Sequence, residues 1–237
     1  MKLLAFDTST EAMSIAVQHG LDAAGQARVW HHSAPGGALT SAQLIPAIQG
    51  LMGQAGLRFE QLDAIVFGHG PGSFTGLRTA CSVAQGLAFG AAVKVLPVDT
   101  LLAVAEEARF QHAPQRPSYP VLALLDARMD EMYAGGYLFE AGVWSTTLAC
   151  GLISPEALGS DPAVTLAGNV FAVYGARFAP SSAPRVDALP TASALLRLAP
   201  ALLAGGGALN ADQALPLYIR DKVAKTTAER AAEKAAL

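Results

Sequence analysis

Charged residues and cysteines are scarce in this sequence, and each scarcity excludes a class of protein. Only 15% of the 237 residues are charged, and 16 basic against 19 acidic side chains give a net charge of −3. A chain with that balance has no overall field that would draw it onto nucleic acid by itself. The two cysteines, Cys81 and Cys150, are too few for a disulfide framework.

Long apolar runs are also absent. No uninterrupted stretch approaches the roughly 20 apolar residues that a membrane-spanning helix requires. The first apolar run has only four residues between Lys2 and Asp7, which is too short for a secretory signal peptide. We therefore expect a cytoplasmic protein that does not associate with a membrane.

The sequence is instead rich in apolar and small residues, with 52% hydrophobic residues and 23 glycines. Its most distinctive stretch is Gly68-His69-Gly70-Pro71-Gly72-Ser73-Phe74-Thr75-Gly76-Leu77-Arg78. This stretch joins a predicted buried strand over 62–67 to a predicted helix that Ser73 or Thr75 can cap and Gly90 can end. Free N–H groups at a helix start favour anions, so a strand, a glycine-rich turn and a helix suggest a phosphate site.

The known phosphate and nucleophile motifs do not fit this turn. Its glycines are spaced GxGxxxG rather than GxGxxG, and Leu77 stands where a P-loop has lysine. Pro71 and Thr75 stand where a nucleophile elbow around Ser73 would need glycines. Two interpretations stay open: an architectural turn that offers a contact surface, or a turn that binds an anion directly.

The predicted helix after the turn is apolar over more than half of its circumference. Its two apolar stripes consist mostly of small residues, namely Leu77, Cys81, Ala84 and Ala88 in one and Gly76, Ala80, Val83 and Leu87 in the other. Such a helix is buried on several sides, and small side chains let another helix approach closely. The pattern fits a central core helix or a helix at a subunit interface.

Both halves of the chain begin in the same way. Strands predicted over 2–7, 12–18 and 26–33 form an antiparallel meander, followed by a helix from Thr40 to about Ala55 with capping-box spacing. Pro46 should kink this helix or move its start towards Ile45. Strand 93–98 and helix 101–111 follow, and the proline-rich segment 112–120 is the best domain boundary.

The second half opens on strand 121–126, which ends on Asp126 as the first strand ends on Asp7. This similarity suggests a duplicated unit. We therefore predict an α/β fold with an N-terminal lobe over 1–111, a linker over 112–120 and a partly degenerate C-terminal lobe over 121–237. Helices are also predicted after Ser154, over 191–203 and after Thr227. Both aspartates most simply cap their own turns.

Two lobes, each a mixed sheet with crossover helices, resemble the actin, hexokinase and Hsp70 (ASKHA) class, in which a nucleotide binds between the lobes. In that setting a possible degenerate phosphate turn comprises Asp7, Thr8, Ser9, Gly72, Ser73 and Thr75. More specifically, residues 6–12, 68–78, 84–88, 126–129 and 216–220 resemble the bacterial TsaB (YeaZ) family. The likeness covers nearly the whole chain. One departure is the loop 34–40 before the first helix, which is uncharged here and is usually more polar in the family.

This resemblance implies a role in making N6-threonylcarbamoyladenosine (t6A) at position 37 of tRNA. There TsaB is a non-catalytic partner of the related subunit TsaD and works with the ATPase TsaE. ATP or ADP and Mg²⁺ are then expected only in the complex, tRNA binds only through the complex, and the isolated chain forms a homodimer. The predicted partner interface lies on helices 41–55 and 75–89 and comprises Leu44, Ala47, Ile48, Leu51, Gly76, Leu77, Arg78, Ala80, Cys81, Ala84 and Gln85. A bulky charged residue at Ala80 or Ala84 should then break pairing and leave the fold intact.

The histidines support the absence of catalysis independently. TsaD-like proteins hold a metal through two histidines four apart on a helix, whereas none of the five histidines here has that spacing. We therefore predict no catalytic residue and no metal ligand. The alternative is an autonomous ATP-dependent phosphotransferase of the ASKHA class. A peptidase lacks a nucleophile and base pair, and a direct tRNA-binding module is disfavoured by the charge.

Overall fold

The first lobe is built on a five-stranded mixed sheet. A computed structural model describes residues 1–22, 24–37, 39–159 and 161–220. The strands stand in the order β3-β2-β1-β4-β5. Their bounds are β1 Lys2–Asp7, β2 Ala12–Leu21, β3 Ala27–Pro35, β4 Ala64–Gly70 and β5 Val95–Asp99. The first three strands pair antiparallel, as predicted, and β4 and β5 continue the sheet in parallel with β1.

The second sheet repeats this arrangement. It comprises β6 Ser118–Arg128, β7 Glu131–Glu140, β8 Val143–Ile153, β9 Thr165–Gly168 and β10 Arg185–Asp187. The order β8-β7-β6-β9-β10 has the same antiparallel meander followed by two parallel strands. The prediction of two similar α/β lobes is therefore confirmed. The boundaries 1–111, 112–120 and 121–237 stay a prediction, and β6 begins inside the proposed linker because Tyr119 is already buried in the second lobe.

Helix α1 (Thr40–Ala55) lies on the first sheet through the apolar stripe of Leu44, Ile48, Leu51 and Ala55. The capping box was wrong, because Leu39 occupies the N-cap position and no side chain caps the helix. The shifted start was also wrong, since the helix begins at Thr40 and contains Pro46, whose ring is exposed to solvent. Gly56 ends α1 in the left-handed conformation.

Helix α2 (Phe74–Ala91) lies beside α1 on the same face of the sheet. Ser73 is its N-cap residue but makes no side-chain cap bond, and Thr75 lies within the first turn. The predicted stop at Gly90 was wrong by two residues, because the left-handed residue is Ala92, with φ 56°. Main-chain bonds from Ala92 to the carbonyls of Ala88 and Phe89 end the helix instead.

Two helices each pack on the sheet of the other lobe. Helix α3 (Thr100–His112) follows the first sheet yet packs on the second, and α5 (Ala192–Ala204), after the four-residue α4 (Phe171–Tyr174), packs on the first. Buried Glu106 accepts bonds from Arg109 and from Arg197 of α5, and so joins the two helices. Thr191 caps α5 through its side chain, whereas Ser154 makes no side-chain cap. The helix predicted after Thr227 lies outside the described residues.

Candidate functional site

A cleft of about 720 Å³ lies between the lobes. The turns that follow the first strand of each lobe line it, together with the start of α2 and the chain segment 217–220. This is where the ASKHA resemblance places a ligand. Of the predicted degenerate phosphate turn, Thr8, Ser9, Gly72, Ser73 and Thr75 meet at one edge of the cleft, and Asp7 does not line it.

Asp7 is buried behind this edge and caps its own turn. Its Oδ1 accepts bonds from the backbone N–H of Ser9 (2.8 Å) and from the Ser9 hydroxyl (2.7 Å). Its Oδ2 is buried without a partner among the described residues and lies against Gly68, where an added Cβ would be only 1.8 Å away. Burial raises the pKa of this carboxyl to about 6, although both Ser9 bonds oppose the shift.

The two turns of the first lobe bond directly to each other. The N–H of Ser73 donates to the carbonyl of Ser9 (2.7 Å), and the Thr8 hydroxyl donates to the carbonyl of Gly76 (2.7 Å). Glycine is required here, because a Cβ on Gly76 would lie 1.8 Å from the Thr8 carbonyl oxygen and one on Gly72 2.6 Å from that of Ser9. The close backbone approach that suggests a phosphate site therefore brings two turns of the same chain together.

Neither Ser73 nor Asp7 is free to hold a phosphate group or Mg²⁺ in the cleft. The N–H of Ser73 at the start of α2 already has an acceptor, and the Asp7 carboxyl is fully buried and cannot reach a cation in the cleft. The described residues contain no cluster of three His, Cys, Asp or Glu side chains that could hold a metal ion.

The corresponding turn of the second lobe is closed by side chains. Oδ1 of Asp126 accepts from the N–H of Arg128 (2.8 Å) and from the hydroxyl of Tyr174 (2.9 Å), and Oδ2 lies 3.1 Å from the Arg128 guanidinium. The side-chain carbonyl of Asn169 accepts from the N–H of Asp126 (3.0 Å). Sequence reasoning missed Asn169 and Tyr174, and the only signal for the former was its position directly after the strand ending at Gly168.

The predicted partner residues fall into two groups. Those buried in the chain's own core are Leu44, Ile48, Leu51, Leu77, Ala80, Cys81 and Ala84. Of the others, Ala47, Gly76 and Gln85 are half-buried and Arg78 is exposed. Because Ala80 and Ala84 are fully buried, a charged residue there would disrupt the fold, so the expectation that the fold survives was wrong.

The exposed side of the two helices is formed by other residues. We call it the α1/α2 surface, and it comprises Ile45, Gln49, Gly50 and Gly53 of α1 and Ser82, Gly86, Phe89 and Gly90 of α2. Phe89 is 83% exposed. Across the two helices the sequence has a single charged residue, Arg78, at the cleft end of α2.

Arg78 stacks on one aromatic ring and forms a hydrogen bond with a second. Its guanidinium lies 3.8 Å from the centroid of the Phe74 ring, and its Nε donates to the hydroxyl of Tyr218 (2.8 Å). The two rings are 5.4 Å apart. Tyr218 was noted only as part of the resemblance, and its contact with α2 could not be read from a separation of 140 residues.

Two sheets of the same strand order, with a cleft at the turns after their first strands, define a two-lobed α/β protein of the ASKHA class. The family model described as "TsaD: tRNA N6-adenosine threonylcarbamoyltransferase" matches residues 37–165. The tRNA threonylcarbamoyladenosine biosynthesis protein TsaB of Haemophilus influenzae is 33% identical over 94% of this chain and 95% of its own. The chain belongs to the TsaB (YeaZ) family.

Two further comparisons agree. TsaB of Escherichia coli is 30% identical over 94% of this chain and 96% of its own length. The structure of YeaZ from Pseudomonas aeruginosa superposes with a TM-score of 0.79 at 38% identity, and the match covers 92% of this chain and 99% of that one. Within the part of the chain that the structure describes, no helix combines the length and the apolar character needed to span a membrane.

Proposed function

We propose that this chain is a non-catalytic partner subunit that binds and activates a TsaD-type threonylcarbamoyltransferase in the synthesis of t6A on tRNA. The names of the full-length homologues support the pathway. The match of residues 37–165 to the TsaD family model supports a common ancestor for this chain and the transferase. Two such folds can pair through corresponding helices, since related surfaces suit a pseudo-symmetric dimer.

The observation that carries the proposal is the composition of the α1/α2 surface. Gly50, Gly53 and Gly86 lie inside helices, where each glycine costs about 1 kcal/mol relative to alanine. A Cβ at any of the three would meet nothing within 4 Å, so packing inside the chain does not require glycine there. Glycines at these positions would instead let a partner helix approach closely.

The exposed apolar groups support the same conclusion. Solvent-exposed helix faces are normally covered with charged side chains, whereas Ile45 and Phe89 stand on a surface without an acidic or a lysine residue. The centres of protein interfaces are similarly depleted of charge and enriched in aromatic residues. The partner we propose for this surface is TsaD. In the isolated chain, a second copy would take the same place.

The remaining components would act through the complex. TsaE, ATP or ADP, Mg²⁺ and tRNA would bind once TsaD is present, because the turns of this chain bond to each other and Asp7 is buried. The contribution of this chain would be to position TsaD.

The test is binding of TsaD from the same organism to the Gly86→Arg variant, measured by calorimetry and size-exclusion chromatography. The added side chain projects from an open position on α2, so we expect a native circular dichroism spectrum and an affinity at least tenfold lower. Gly159→Arg is the matched control, because Gly159 is also exposed with open space but lies in the second lobe. Unchanged TsaD binding by Gly86→Arg would contradict the proposed surface.

A second measurement separates partnership from autonomous activity. Pull-down of TsaD and TsaE with and without ATP should recover TsaD in both cases and TsaE only when TsaD is present. Titration of the isolated chain with ATP and Mg²⁺ should give no tight binding. Tight binding by the isolated chain would instead favour the autonomous phosphotransferase.

A further inference from the structure

The segment Ala214–Arg220, which we call the strap, crosses from the first lobe to the second at the mouth of the cleft. It has no regular secondary structure, and its last four residues line the cleft. Such a segment can be held only by side chains and irregular main-chain bonds. Its anchors therefore show what it connects.

The first half of the strap is held by α2 and β4. The Ala214 carbonyl accepts from the Gln85 side-chain amide (2.7 Å) and from the Cys81 thiol (3.3 Å). The N–H of Leu217 donates to the carbonyl of His69 (2.7 Å). Tyr218 then receives the bond from Arg78 and stacks on Phe74. Side chains of α2 from Phe74 to Gln85 thus fix the strap along that helix.

The last two residues are held by the second lobe. Ile219 packs against the core cluster that contains Leu125 and Tyr133. The Arg220 side chain is only 14% exposed and forms an ion pair with Glu131 (2.6 Å). It also donates to the carbonyls of Ala127 (3.3 Å) and Arg128 (3.4 Å) and to the sulfur of Met129 (3.4 Å).

These contacts hold the hairpin between β6 and β7 at its turn. Residues 128–130 all have left-handed backbones, with φ values of 62°, 55° and 59°. Non-glycine residues adopt that conformation only when the surroundings hold them in it. Asp126, whose side chain closes the turn of the second lobe, lies at the start of the same hairpin.

We propose that the strap is a clasp that couples the position of α2 to the hairpin 126–131 and so sets the opening of the cleft. Loss of a bond at either end loosens the other end, although the two anchors lie on different lobes. The proposal needs no partner protein, and it predicts that a change on α2 is detected on the second lobe.

The test is amide hydrogen exchange followed by mass spectrometry on the isolated full chain. Gln85→Ala removes the strongest α2 anchor, and we expect exchange in peptides covering 126–131 to accelerate about fivefold to tenfold, the effect of losing one hydrogen bond. Ser82→Ala is the matched control, because Ser82 is exposed on the same helix. It should leave the hairpin at the wild-type rate.

The reverse experiment uses Arg220→Ala, which should accelerate exchange in the first turns of α2. Its control is Arg177→Ala, because Arg177 bonds to Asp130 of the same hairpin and to Glu156 but stays within the second lobe. Core amides of β1 should keep the wild-type rate in all four variants, which excludes global destabilisation. If Gln85→Ala accelerates only the first lobe and Arg220→Ala only the second, the clasp is refuted.

Discussion

Replacing Asp7 by asparagine should remove a specific part of the pH dependence of stability. The structure determines whether stability rises or falls with pH, because burial raises the folded-state pKa of the Asp7 carboxyl from 3.8 to about 6. Between those values the folded protein holds a proton that the unfolded chain has released. The stabilisation is therefore fully present below about pH 4 and is lost as the pH rises through 6.

The magnitude follows from the shift. Roughly two pKa units at 1.36 kcal/mol each give a loss of about 3 kcal/mol in the free energy of unfolding. Asparagine preserves the acceptor for both Ser9 bonds but has no charge to desolvate. Its amide nitrogen would take the position of the unpartnered Oδ2 and cost about 1–3 kcal/mol at every pH, so the test is the slope with pH and not the absolute stability.

Urea unfolding of both proteins, followed by the fluorescence of Trp30 and Trp144 in steps from pH 4.5 to 8, measures this difference. The wild type should lose about 2 kcal/mol of stability relative to Asp7→Asn over that range, because only about 1.5 units of the pKa shift lie above pH 4.5. Ser9→Ala provides a second check, because the Ser9 hydroxyl bond lowers the Asp7 pKa and its loss should move the transition to higher pH. A difference between wild type and Asp7→Asn that stays constant with pH would refute the assignment of a buried, proton-holding carboxyl.

Three further predictions concern stability, and urea titration at pH 7 measures all of them. Gly86→Ala should raise the free energy of unfolding by about 1 kcal/mol, because the position is open and alanine is the better helix former. Gly76→Ala should lower it by about 3 kcal/mol or prevent folding, because its Cβ would overlap the Thr8 carbonyl; equal effects of the two changes would contradict the packing described. Arg197→Met should lower the free energy of unfolding by about 3 kcal/mol, because the nearly buried Glu106 loses a cation. A change below about 0.5 kcal/mol would show that this ion pair does not contribute to stability.

The strands and the two-lobed plan could be predicted from the sequence because they depend on patterns that tertiary structure does not override. Strand β1 spans the six residues Lys2–Asp7, as predicted, since a continuous apolar run ending on a polar turn has few alternatives. The two sheets share one strand order because the predicted elements follow one another in a similar order in the two halves of the chain. Connections of these lengths allow few other topologies.

The helix caps could not be predicted in the same way. Thr40 and Ser73 are both residues that favour N-caps, yet neither makes a cap bond. Ser73 is held by its main chain, whose N–H donates to Ser9 in a turn 64 positions away in the sequence (73 − 9). A cap preference of about 1 kcal/mol is easily overridden by such a tertiary contact.

The side of α2 that faces outwards could not be determined from the sequence either. The small residues Ala80 and Ala84 suit a helix interface, and the predicted partner interface includes them. They suit a close approach of α2 to its own sheet equally well, and that is where they lie. Composition identifies a closely packed face but does not say whether its neighbour belongs to the same chain.

The glycines resolve this ambiguity, because the structure divides them by what a Cβ would meet. At Gly68, Gly72 and Gly76 an added Cβ would overlap atoms of the turn 7–9, so the chain's own packing explains why glycine stands there. At Gly50 and Gly86 an added Cβ would meet nothing, so glycine destabilises each helix although no contact inside the chain requires it. The first group accounts for the phosphate-like appearance of the turn without a phosphate. The second group has no packing explanation within one chain, and the contact proposed for the α1/α2 surface supplies one.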